Sequence, residues 1–160
     1  MRIRSYSAIK AKESGIKIGW VGKIILLRSP VYLHTELQFS EQFRNVSVSA
    51  TMQDKCKCVR FKNISYSTPV WDTIDLDISH RDEQDIFHWC LDKAGLWKYD
   101  LLGLLSHASE KDIIKPHKKS VWCSEFVAMA IQTKRDYGII PDKTTPTSFH
   151  EKVLNVHLDK

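Results

Sequence analysis

The hydrophobic pattern of this chain changes period once, near residue 79, and no other feature constrains the fold as strongly. Val31, Leu33, Leu37 and Phe39 alternate with Tyr32, His34, Glu36 and Gln38, and Thr35 falls on the apolar side. That is the period-2 mark of a strand with one buried face. Val46, Val48 and Ala50 then alternate with Ser47, Ser49 and Thr51. Val59 and Phe61 alternate with Arg60 and Lys62, and Ile74, Leu76 and Ile78 with Thr73, Asp75 and Asp77. Separated by polar links, these runs predict a small antiparallel sheet. Upstream, residues 5–28 predict an early strand or turn from Tyr6 to Lys10. A short helical stretch from Ile16 to Leu27 follows, weakened by Gly15, Gly19 and Gly22.

Beyond the switch the apolar residues recur at helical spacing. Ser79 predicts a cap, with Asp82, Glu83 and Asp85 in the opening turns and Ile86, Phe87, Cys90, Leu91 and Ala94 as the buried stripe, ending at Gly95. Leu101 to Ser106 predicts a short helix, with Asp100 as its cap. Ser120 predicts the cap of a further helix with the stripe Phe126, Val127, Ala130 and Ile131. Lys134 and Arg135 fall in its last turn, and Gly138 and Pro141 end it. A final helix is predicted from near Ser148. Strands first and helices afterwards predict the α+β class, with helices against a sheet. No linker or repeat interrupts residues 1–160, which predicts one domain large enough for its own core.

Charge and cysteine content narrow the partners less. The net charge is +5, from 24 basic and 19 acidic residues, spread along the chain with short clusters such as Lys115–Lys119. A scattered charge of this kind is usually a solvated surface. No aromatic-plus-basic motif points to nucleic acid. The N-terminus lacks the apolar run of a signal peptide, and the stretch Ile24–Leu27 is too short to span a bilayer. The expectation is a cytoplasmic chain without a transmembrane anchor, with Cys56, Cys58, Cys90 and Cys123 reduced. Cys56-Lys57-Cys58 lacks zinc-ligand spacing and a second pair. No His-x-x-x-His pair and no glycine-rich phosphate loop occurs. Neither a metal nor a cofactor is predicted.

The segment from Ser120 to Val127 carries the strongest chemical signal. It places Cys123 in the first turn of an amphipathic helix, where the helix dipole favours thiolate. A cysteine at such a position is more often a small buried hydrophobe. Here Ser124 and Glu125 make its surroundings polar, and the larger apolar residues follow later. Far upstream, the alternation places His34 away from the apolar layer on the same strand face as Glu36. Cysteine and histidine from distant parts of a chain are the minimum kit for thiol nucleophilic catalysis, and a carboxylate can orient the imidazole. Glu36, Ser47 and Ser49 are all candidates for that orienting role. Tyr99 can place a hydroxyl near a substrate carbonyl, and Tyr99 and Trp122 are the candidate substrate-binding residues.

With these residues in hand, the chain resembles the circularly permuted papain-like superfamily, in particular its YiiX-type branch, related to NlpC-type cell-wall peptidases. The likeness rests on Tyr32-Leu-His34-Thr-Glu36-Leu37 in a strand and Trp122-Cys123-Ser124-Glu125-Phe126 at a helix start, with His before Cys. Looser likenesses are Tyr99-Asp100 upstream of the cysteine and Pro146-Thr-Ser-Phe149 opening the last helix. The resemblance implies Cys123 as nucleophile, His34 as general base and hydrolysis of a peptide-like amide, with cell-wall peptides one such substrate. The lecithin:retinol acyltransferase branch shares the Cys-x-x-Phe spacing of Cys123 and Phe126, so a lipid acyltransferase or thioesterase is the alternative. A binding module on the same scaffold is a third reading. The partner expected is thus a peptide-like or acylated substrate, and the loops at 40–45, 63–70 and 107–119 are expected to shape its cleft. The oligomeric state is left open.

Overall fold

The computed structural model describes residues 1–53, 55, 57–101, 103 and 119–158. Its strands are β1 (Arg2–Ser7), β2 (Tyr32–Gln38), β3 (Ser47–Ala50), β4 (Val59–Lys62), β5 (Trp71–Asp75), β6 (Lys98–Tyr99) and β7 (Ser120–Val121). Its helices are α1 (Ala8–Glu13), α2 (Trp20–Leu26), α3 (His80–Leu91), α4 (Cys123–Gln132) and α5 (Pro146–Leu158). The first five strands form one antiparallel sheet in the order β4-β3-β2-β1-β5. The two short strands β6 and β7 pair in parallel beside it. The α+β class read from the sequence is what the chain adopts.

Register explains how the sheet sorts its side chains. Ile3 pairs with Leu37 and Ile74, Leu37 with Val48, and Val48 with Phe61, so one apolar row crosses all five strands. That row joins Ile86 of α3, Phe126, Val127 and Ile131 of α4, and Phe149 and Val153 of α5 in the main core. Each such side chain taken fully out of water contributes about 1.5–3 kcal/mol. The adjacent row carries charge. Arg4 pairs with Glu36 and Thr73, and Arg60 with Ser49.

Strand β1 lies between β2 and β5, where the sequence predicted only a strand or turn from Tyr6. Its insertion makes β2 central, and both faces of β2 are covered. Glu36 is 0% exposed, and Tyr32 and Gln38 are buried. The expectation of one solvated face is therefore corrected. Helices α4 and α5 pack on β2. On the charged side Tyr66 closes over the sheet. Arg4 sits 4.6 Å over its ring, and its hydroxyl lies 2.6 Å from Ser47 Oγ.

Several helix boundaries also differ. Ser79 caps α3 as expected, accepting the Asp82 N–H at 3.1 Å. Leu91 is 52% exposed, because five residues after Ile86 it has rotated off the buried stripe. Ser120 belongs to β7 and donates to Asp100, and Trp122 is the N-cap of α4. That helix ends at Gln132, before Lys134 and Arg135. The last helix begins at Pro146, whose fixed φ suits a first helical position. Asp100 does act as a cap, accepting the Gly103 N–H at 2.6 Å. Most of the expected helix Leu101–Ser106 and of the loop 107–119 lies outside the described residues.

Candidate active site

Cys123 is the first residue of α4, and three hydrogen bonds fix it there. The Trp122 N–H donates to the Glu125 carboxylate at 3.2 Å, one half of a capping box. The Trp122 indole N–H and the Ser124 hydroxyl both donate to the Thr144 carbonyl, at 2.8 and 2.7 Å. Ser124 and Glu125 therefore anchor the helix start, and both are buried. Burial pushes the Glu125 carboxyl up to about 7, against the Trp122 N–H, with Asp100 and Asp142 adding to the rise. Cys123 is a free thiol and 1% exposed.

His34 comes to Cys123 from β2. Between Tyr6 and Ser7 the β1–β2 register slips, so that Tyr6 faces His34 while Ser7 faces Tyr32. Leu33 is thus the extra residue of a bulge directly before His34, a device that re-aims the neighbouring side chain. The bulge is tied down from α5. Thr147 Oγ1 accepts the Val31 and Tyr32 N–H groups at 3.1 and 3.0 Å and meets Ser29 Oγ at 2.8 Å.

The His34 imidazole is engaged twice. Its Nε2 lies 2.8 Å from Glu36 Oε1, and the Cys123 side chain is its other polar neighbour. Burial alone would strip the ring of its proton. The Cys123 and Glu36 side chains outweigh burial and push His34 up to about 10. Glu36 is set by its own neighbours. Burial would raise it, but His34 and Arg60 hold it below the usual carboxylate range. Arg60 forks onto it, Nη1 to Oε2 at 3.0 Å and Nη2 to Oε1 at 2.9 Å.

Glu36 is therefore the carboxylate bonded to His34. The other two candidates are committed elsewhere, Ser47 to Tyr66 and Ser49 to the Thr35 carbonyl at 2.6 Å. Arg60 was not singled out in the sequence. Strand alternation places it on a polar face, but only the pairing of β4 through β3 brings it to Glu36.

The His34 side of the sheet opens into a cleft of about 750 Å³. Tyr6, His34 and Trp71, paired across three strands, line it together with Glu36 and Arg60. Ile18, Val21, Gly22 and Ile25 form an apolar wall, and Tyr99 also lines the cleft. Gly22 is required for this close approach, since a Cβ there would sit 2.6 Å from Ile18 Cγ2. Burial, with Cys123 and Asp100 adding to it, raises the Tyr99 phenol well above its usual range, so it remains a donor at neutral pH. Trp122 is not on the wall. It is 3% exposed and packs with Ala8, Ile25 and Leu33. Of the expected loops, 63–70 contributes Asn63, Ile64 and Ser65, and residues 40–45 do not line the cleft.

Among the described residues, no group of three or more His, Cys, Asp or Glu side chains could hold a metal ion. No described helix is long and apolar enough to cross a membrane. Cys58 is disulfide-bonded, which corrects the expectation that all the thiols are reduced. No family model matches the chain, and no curated protein or solved structure is found to be similar to it.

Proposed function

We propose that this chain is a thiol hydrolase acting on a peptide-like amide, on a circularly permuted papain-like fold. One observation supports this above all: a single imidazole bonded to a buried carboxylate and neighboured by a free thiol at a helix start. The order of the parts fits as well, with the histidine strand central in the sheet and preceding the cysteine helix.

In this reading His34 holds the proton and Cys123 Sγ attacks the carbonyl carbon. A C–S bond forms as the carbonyl π electrons move to oxygen. The Cys123 backbone N–H, at the first position of α4, is the donor that receives that oxyanion. His34 gives its proton to the leaving nitrogen as the C–N bond breaks. Water then attacks the thioester with His34 as base, the C–S bond breaks, and the acid is released. Glu36 keeps the imidazolium oriented, and Arg60 keeps Glu36 ionised. Because the thiol is 1% exposed, acylation requires the groups over it to move.

The apolar wall of Ile18, Val21 and Ile25 favours a second reading, transfer or hydrolysis of a lipid acyl group. Both readings share the Cys123 acyl-enzyme. The test is acid quenching and mass spectrometry after incubation with peptidoglycan-derived peptides and with fatty-acyl esters. A Cys123 adduct that Cys123→Ala abolishes is expected, and the panel member that forms it assigns the substrate class. Absence of adduct and turnover across the panel contradicts both readings and leaves a binding scaffold.

A further inference from the structure

The cleft wall has an outer side. Helix α2 turns Val21, Gly22 and Ile25 toward the cleft, while Trp20 and Leu27, seven residues apart on its outer side, are 67% and 76% exposed. Ile9 and Ile16, on and just after α1, are 52% and 42% exposed. Four large apolar side chains thus stand in solvent within one short stretch of chain. The charge lies there too. Residues 8–28 hold Lys10, Lys12, Lys17, Lys23 and Arg28 against Glu13 alone, so they carry all but one unit of the net +5. Lys10 is paired with Asp72, and Lys12, Lys17, Lys23 and Arg28 are exposed.

We propose that the outer side of α1 and α2 is a docking surface for an anionic lipid bilayer. Tryptophan and aliphatic side chains ringed by lysines suit the headgroup boundary, where rings and alkyl groups leave water while ammonium groups meet phosphate. An acidic protein partner would take the charge but has no special use for exposed Trp20 and Leu27 together. The inference does not depend on the thiol chemistry.

The test is co-sedimentation of the full chain with vesicles of phosphatidylcholine alone or mixed with phosphatidylglycerol. Binding is expected only to the mixed vesicles and weakens as salt is added. Removing a cation near such a surface weakens binding about fivefold, so Lys12→Glu with Lys23→Glu reduces it at least about twenty-fivefold. Trp20→Ser with Leu27→Ser, at exposed positions, abolishes it while the circular dichroism spectrum is unchanged. Equal binding by these variants overturns the proposal, as does failure to bind the mixed vesicles. Concentration-dependent dimerisation that Trp20→Ser with Leu27→Ser removes also overturns it, assigning the face to a second copy.

Discussion

Replacing Arg60 with Met keeps the stem of the side chain and removes the charge that forks onto Glu36. Glu36 is fully buried and accepts three hydrogen bonds, two of them from Arg60. Removing one partner of a buried pair costs ~3–5 kcal/mol. His34 still faces Glu36 in the variant, so the loss falls at the low end, about 3 kcal/mol. For a chain of this length that lowers Tm by roughly 6–12 °C, taking about 2–4 °C per kcal/mol. The site responds in a way a merely structural role does not predict. Without the guanidinium, the Glu36 carboxylate accepts a proton more readily and releases its hold on the His34 imidazolium. Cys123 alkylation at neutral pH then slows. Arg60→Lys keeps the charge without the fork and restores part of the rate. Glu36→Gln with Arg60→Met leaves no unpaired carboxylate and is more stable than Arg60→Met alone. A wild-type melting curve and an unchanged alkylation rate in Arg60→Met refute the reasoning.

Other perturbations read other parts of the account. Thr147→Val strands the Val31 and Tyr32 N–H groups. It costs about 1–3 kcal/mol in chemical denaturation, and, by releasing the bulge before His34, it slows Cys123 alkylation. Glu125 is raised by burial to about 7, so its contribution to stability is full below its unfolded value and is lost as pH rises toward 7. Glu125→Gln keeps an acceptor for Trp122 and flattens the stability profile between pH 4.5 and 7, measured by urea titration. His34, raised to about 10 against 6.5 for the unfolded chain, contributes stability that is full below 6.5 and lost as pH rises through about 10. The acid role proposed for it declines over the same upper limb, and His34→Gln removes the stability loss there.

What the sequence disclosed follows the range of the interactions. Alternation within one strand places His34 beside Glu36, two residues apart, and the structure bonds them. The apolar stripe of α4 was equally plain, since Phe126, Val127, Ala130 and Ile131 are all fully buried. Arg60 escaped because its partner is reached only by pairing β4 to β3 and β3 to β2, and periodicity does not say which strands are neighbours. The central place of β2 escaped for the same reason. Nothing in Arg2–Ser7 announces that it pairs on both edges. Local chemistry also misled in places. Ser120 is a good capping residue, yet pairing with β6 draws it into a strand and leaves the cap to Trp122. Trp122, beside the cysteine in sequence, points into the packing between α2 and the sheet and not into the cleft.

The central claim is that His34 makes Cys123 a nucleophile, and the rate of iodoacetamide alkylation at neutral pH tests it most directly. Cys90, a fully buried free thiol whose titration burial pushes upward, is the internal reference. The account predicts that Cys123 is alkylated far faster than Cys90 at neutral pH and that His34→Ala abolishes the difference. A Cys123 rate no higher than that of Cys90, or one unchanged by His34→Ala, contradicts it.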